Sequence, residues 1–150
     1  MLMVREGKKT DLEAVLGLVK ELADYEKALD QVENTVDRME KDGFGDHPYF
    51  GFFVAEKDGE VVGTAIYYYR YSTWKGKRLY LEDIVVTQSL RGKGYGKQLF
   101  DAVIKKGKDT GCTGMMWQVL DWNTPAIEFY KQYNTAFDDE WINCSIDLTE

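Results

Sequence analysis

Three features of this chain bear on the chemistry it could do, and the most specific is the run Arg91-Gly92-Lys93-Gly94-Tyr95-Gly96. It lies between an apolar stretch ending near Thr87 and a periodic stretch opening near Gly94. A helix N-terminus presents free backbone N–H groups and the positive end of the dipole, and glycines let the backbone approach an anion closely, so the segment suits a pyrophosphate. Arg91 and Lys93 add positive charge. It is not a Walker A loop, because Gln98 follows Lys97 where Ser or Thr is required and Arg91 stands at the position of the first glycine. It is not a dinucleotide fingerprint either, since it reads Gly92-x-Gly94-x-Gly96 and no early strand-helix unit carries GxGxxG. A strand-to-helix turn with no ligand has the same composition, so the loop alone leaves both readings open.

The second feature is Glu82-Asp83, two adjacent acids inside a stretch, 78–87, that is otherwise rich in Leu, Ile and Val. A strand carboxylate is ordinarily solvated or ion-paired, but one facing a nucleophile can also accept its proton. The third feature is a scarcity. His47 is the only histidine, and Cys112 and Cys144 lie far apart with no CxxC spacing, so neither a zinc site nor a disulfide framework is expected. Beside Pro48, His47 reads as a loop hydrogen-bonder and is given no role.

The elements that must position these residues follow from periodicity. Thr10-Asp11-Leu12-Glu13 has the form of a capping box, and Leu12, Val15, Leu16, Val19 and Leu22 continue as an amphipathic stripe to about Tyr25. A second helix is expected over 35–41, broken by the glycine- and proline-containing loop 42–48. Strands are expected over 50–56 and 61–71 around Asp58-Gly59, a pair preferred in two-residue hairpin turns. A third strand is expected over 78–87, then a helix from about Gly94 to the glycines 107 and 111, and a strand over 115–120. Asn123-Thr124-Pro125 caps a short helix through Tyr133. Residues 141–148 alternate apolar with polar and read as a last strand.

With 150 residues, 44% apolar and 30% charged, one globular domain spanning 1–150 is expected. No apolar run approaches the roughly 20 residues of a membrane span, and the charged N-terminus does not resemble an export signal, so a cytoplasmic location is expected. A net charge of −7 disfavours nucleic acid and anionic membrane as partners and favours a cationic one.

From about residue 4 to 133 the sequence resembles the GNAT acetyltransferase superfamily, and within it the spermidine/spermine N-acetyltransferase branch, which includes thialysine acetyltransferases. The residues that carry the likeness are Arg91-x-x-Gly94-x-Gly96, Leu79-Tyr80-Leu81-Glu82-Asp83, the segments 20–26 and 42–48, and Trp122-Asn123-x-Pro125-x-Ile127-x-Phe129-Tyr130. Asn134 stands where the family usually has glycine, and the tail 135–150 is shorter than the usual ending. The resemblance implies a mixed α/β (α+β) fold, a central, mostly antiparallel sheet flanked by helices, and direct acetyl transfer from acetyl-coenzyme A to a primary amine of a polyamine, a diamine or a lysine-like molecule. It implies that Ile84, Val85, Val86, Arg91, Gly92, Lys93, Gly94, Tyr95, Gly96, Lys97, Asn123, Ala126 and Tyr130 hold the coenzyme. By the same resemblance Glu82 is the base and Tyr130 the acid that protonates the leaving thiolate. Glu26, Asp24, Trp74, Glu82 and Asp83 lie around the amine, no metal takes part, and a homodimer is expected. Two rivals remain: a coenzyme-binding regulatory module without turnover, and a protein N-terminal acetyltransferase.

Overall fold

The computed structural model describes residues 1–149. The chain divides into two compact units, the first Met1–Trp117 and the second beginning at Gln118. The first holds β1 (Leu2–Glu6), α1 (Leu12–Tyr25), α2 (Val36–Phe44), β2 (Gly51–Lys57), β3 (Glu60–Ser72), β4 (Gly76–Val86), α3 (Tyr95–Asp109) and β5 (Gly114–Met116).

The strands form one sheet in the order β1-β2-β3-β4-β5. The β1–β2, β2–β3 and β3–β4 pairs are antiparallel, and β4–β5 is parallel, in line with the expected mostly antiparallel sheet. Asp58 and Gly59 form the β2–β3 turn with positive φ at both positions, 51° and 83°, as that turn requires. In β2, Phe52, Phe53, Val54 and Ala55 are all buried, so both faces of the sheet are covered. Phe52, Val54 and Ile66 join Leu12, Val15 and Leu16 of α1 and Met39 of α2 in one core cluster. On the opposite face, α3 packs through the fully buried Leu99, Phe100 and Val103.

Several boundaries depart from the pattern-based expectation, each for a local reason. Thr10 does not cap α1. A 3₁₀ turn over Lys9–Asp11 runs directly into the helix, and Asp11 stays in right-handed helical conformation, so no extended N-cap exists at Thr10. Instead Asp11 accepts the Lys8 N–H at 2.7 Å and two bonds from the Arg5 guanidinium. Helix α2 does begin after Thr35, whose hydroxyl accepts the Arg38 N–H, but it runs on to Phe44 instead of breaking at Asp42. Gly43 lies inside the helix and close against the Phe50 ring, where a Cβ would stand 2.6 Å from it. β5 is three residues long and ends at Met116, well short of Leu120.

In the second unit, α4 (Thr124–Tyr130) starts at Asn123, whose Oδ1 accepts the Ala126 N–H at 3.4 Å, with proline in the first turn. It ends at Tyr130 rather than Tyr133, and the Thr135 hydroxyl donates to the Tyr130 carbonyl at 2.7 Å. The expected last strand is not formed. Residues 141–148 join no ladder, and their apolar side chains, such as Ile146 at 84% exposure, face solvent. Alternation supplies a strand's faces but not the neighbouring edge that must satisfy its backbone.

Candidate active site

The site in the first unit is built on two irregularities of β4. One lies on its antiparallel side. Ile66 of β3 pairs with Asp83 and Tyr67 with Leu81, so Glu82 is the extra residue of a β-bulge. In a regular strand successive side chains point to opposite faces. Here both Glu82 and Asp83 line one cleft of about 290 Å³, walled by Leu16 and Val19 of α1, Met39 of α2, Phe50, Ile66, Tyr68 and Asn34. An apolar chamber with two carboxylates at one wall suits a molecule with a cationic or proton-releasing group on an aliphatic body.

The other irregularity lies on the parallel side. β4 and β5 share only the pairs Arg78↔Gly114, Leu79↔Met115 and Tyr80↔Met116. Among the described residues, β4 then continues over 81–86 with no strand on that side, leaving an open edge that includes Ile84, Val85 and Val86. The strand leads into a 3₁₀ turn over Gln88–Leu90 and then the glycine loop. Gly92 and Gly94 take φ of 80° and 84°, a conformation side-chain-bearing residues seldom adopt, and the space where a Cβ would stand is open at both. Gly94 is the N-cap of α3 and supplies no side-chain cap. The first turn of this 15-residue helix therefore offers backbone N–H groups beside exposed glycines, a donor set that fits a pyrophosphate.

The charged groups divide by task. Arg91 donates from Nε to the Val86 carbonyl at 3.0 Å and lies 5.3 Å from the centre of the Tyr25 ring, which fastens the loop to the strand end and to α1. Lys93 is exposed, and Lys97 bonds Asp101 one turn along α3 at 2.8 Å. Burial, then the like charges of Glu82 and Glu26, push the Asp83 carboxyl up to about 6. Burial also raises Glu26 above its ordinary value. Glu26, Glu82 and Asp83 thus form one electrostatic group. The rings of Tyr68 and Tyr80 lie 5.1 Å apart, and burial followed by the Glu82 charge holds both hydroxyls above the usual tyrosine value.

Of the residues expected around the amine, Glu82 and Asp83 line the cleft, while Asp24, Glu26 and Trp74 do not; Glu26 reaches the site only through its charge on Asp83. Asp24 is exposed on the last turn of α1, and Trp74, 87% exposed, stands at the β3–β4 turn. In the second unit, Asn123 and Tyr130 are buried, at 8% and 6% exposure, with Ala126 between them on α4. Asn123 does serve as the helix cap. Sequence reasoning missed Asn34, Tyr68 and the apolar walls, which no local pattern ties to Glu82. It also missed Glu21, whose partners Thr87 and Gln88 lie 66 and 67 residues away in the chain.

A mixed sheet whose parallel pair parts after three residues, with a glycine loop opening a helix at the free strand end, defines a coenzyme-dependent acyltransferase fold. The profile of the acetyltransferase (GNAT) family matches residues 17–134, and the chain belongs to that family; it is an acetyl-CoA-dependent N-acetyltransferase acting on amines. Thialysine N-epsilon-acetyltransferase of Bos taurus is 43% identical over 137 residues, covering 86% of this chain and 81% of that protein. Spermidine/spermine N(1)-acetyltransferase-like protein 1 of Homo sapiens is 37% identical over 134 residues, 85% of this chain but 19% of that longer protein. Among solved structures, an aminoglycoside N-acetyltransferase in complex with CoA superposes with a TM-score of 0.76 over 97% of this chain and 95% of its own, at 24% identity.

Proposed function

We propose that this chain, acting as one domain over residues 1–150, acetylates a primary amine of a polyamine, a diamine or a lysine-like small molecule such as thialysine. The observation that carries the reading is the bulge at Glu82, which turns two consecutive carboxylates into one apolar cleft beside the open edge of β4. The names of the relatives support a small amine as acceptor.

An alkylammonium has a pKa of about 10 and no lone pair to attack with, so a proton must leave first. Glu82 takes it, directly or through a water, and Asp83 in the cleft, with the charge of Glu26 nearby, holds positive charge there. Acetyl-CoA, when bound, supplies the activated acetyl group as a thioester. The open edge at Ile84, Val85 and Val86 and the loop 91–96 orient it, with Asn123, Ala126 and Lys97 as further contacts. Tyr130 donates the proton that the leaving thiolate needs.

We further propose a cytoplasmic homodimer. The β3–β4 hairpin supports the second copy: it exposes Tyr69, Tyr71 and Trp74 beside Arg70, Lys75, Lys77 and Arg78 in a chain whose net charge is −7, so like chains offer each other complementary surfaces. The deciding experiment is thiol release from acetyl-CoA across thialysine, spermidine, spermine, putrescine and peptide N-termini. Turnover on free amines is expected. Turnover on peptides alone would replace this reading with protein N-terminal acetylation, and binding of CoA without turnover would replace it with a regulatory module.

A further inference from the structure

We propose that Glu21, on the third turn of α1, is a positioning residue for coenzyme binding, fixing the turn from which the glycine loop springs. The role rests on the reading above, in which residues 91–96 hold acetyl-CoA.

Two grips from one helix converge on residues 86–91. At the start of the turn, Glu21 Oε1 accepts the Gln88 N–H at 2.8 Å, and the Thr87 hydroxyl donates to the same carboxylate, 3.2 Å from Oε2 and 3.3 Å from Oε1. Gln88 opens the 3₁₀ turn, and its own N-cap residue, Thr87, contributes no side-chain cap. Glu21 therefore satisfies an orphan N–H from another element, by a charge-assisted bond. At the end of the turn, Arg91 donates to the Val86 carbonyl and lies over the ring of Tyr25. Tyr25 is four residues after Glu21, on the same helix face. Past Arg91 the chain enters Gly92, Lys93 and Gly94, where the glycines have no side chain with which to anchor the backbone.

The amides that meet the pyrophosphate thus inherit their position from a turn that α1 clamps at both ends. A loop already ordered loses less entropy on binding, so loosening it weakens coenzyme affinity while leaving the chemical step alone. A carboxylate acting only through its charge would do the opposite. It would repel the pyrophosphate, and its removal would tighten binding. The sign of the change separates the two roles.

The test is titration of the full-length protein with CoA, alongside steady-state kinetics, for Glu21→Ala, Glu21→Gln and Thr87→Val. Glu21→Ala should raise the Kd for CoA and the KM for acetyl-CoA by about tenfold, as expected for losing the charge-assisted bonds to Thr87 and Gln88, with kcat within about threefold. Glu21→Gln, which keeps one acceptor oxygen, should fall between wild type and Ala. Thr87→Val removes one arm and should give about a two- to threefold rise. Amide exchange at Gln88 should accelerate in the Ala variant. CoA binding unchanged or tighter in both Glu21 variants would overturn the role, and if Ala fails to fold, the Gln variant alone decides. A wild-type protein without CoA affinity would remove the loop assignment and this role together, whereas equal affinity of wild type and variants would remove this role alone.

Discussion

Asp11 is buried and Asp83 half-buried, and their surroundings treat the charge oppositely. Asp11 sits at the start of α1, where Arg5 grips it with two bonds of 2.8 and 3.0 Å and the Lys8 N–H adds a third. The hydrogen bonds from Arg5 come first in holding its carboxyl below the ordinary value. Asp83 sits on β4 with Glu82 and Glu26 as its electrostatic neighbours, and burial with those like charges raises it to about 6. At Asp11 the cost of burying a charge is met inside the fold, so little is left over for a ligand. At Asp83 it is left standing, and a cation entering the cleft would relieve it. A buried acid with a perturbed pKa in a cleft is where function is expected, and a buried acid in a bidentate pair is where structure is expected.

The largest effect should come from Glu82, the neighbour that divides the two cases. With Glu82 as the base, Glu82→Gln should lower kcat by about 10²-fold or more near neutral pH and flatten the acidic limb of the rate profile, while CoA affinity is kept. The same change should bring the Asp83 pKa down toward the ordinary range, because one of its two like charges is gone. Full turnover in the Gln variant would move the base elsewhere and leave the bulge a structural feature.

The next effect is on stability at the other aspartate. Asp11→Ala leaves the Arg5 guanidinium with Glu56, 3.4 Å away, and the Glu6 carbonyl, 3.2 Å away, and should cost about 2 kcal/mol in chemical denaturation at pH 7. Because the folded pKa of Asp11 is depressed, that contribution is present above the unfolded pKa of 3.8 and is lost as pH falls through the folded value. Wild type and variant should therefore converge in acid. A loss well under 1 kcal/mol would reduce the Arg5–Asp11 pair to an ordinary surface contact.

The two aspartates also differ in how far the sequence revealed them. The Glu82-Asp83 pair stood out because two acids in an apolar strand break the local pattern, and the glycine loop because its composition has a mechanism. Helix α1, the hairpin at Asp58-Gly59 and the Asn123 cap were legible for the same reason: each rests on contacts within a few residues. The bulge was not legible, since it is a matter of register between β3 and β4 that no single strand encodes. Asp11 was hidden behind Thr10, whose capping-box pattern matched while the backbone took another path. Residues 141–148 misled in the opposite sense, because their alternation says nothing about whether an edge is present to receive them.

A third test sets the two aspartates directly against each other. Asp83→Asn should stabilise the protein by about 1 kcal/mol at pH 7, allowing for screening at a half-buried site, where Asp11→Ala destabilises it. The folded pKa of Asp83 is raised, so the folded state holds its proton more tightly, and stability declines as pH rises from about 4 toward 6. The Asn variant should lack that decline, and the two proteins should converge below the unfolded pKa. If Asp83→Asn is instead destabilising at pH 7, the carboxylate has a stabilising partner and the contrast with Asp11 fails.

The smallest effect concerns what fills the cleft. If Asp83, Glu82 and Glu26 attract the substrate through charge, raising ionic strength should raise the amine KM, because added salt shortens a Debye length of about 8 Å at physiological strength. The change should be about two- to threefold across an ordinary salt range, and steeper for spermidine than for a monoamine of similar length, since more charges face the acids. Asp83→Asn should narrow the difference between the two amines, and so should lowering the pH below about 6, where Asp83 is neutral. A zwitterionic acceptor such as thialysine brings its own carboxylate toward this lining, so its salt dependence should be shallow. Equal slopes for mono- and polyamines would mean that the acids act on the single reacting nitrogen and not on the length of the chain behind it. Turnover of thialysine with every polyamine inert would remove polyamines as substrates while leaving amine acetylation in place.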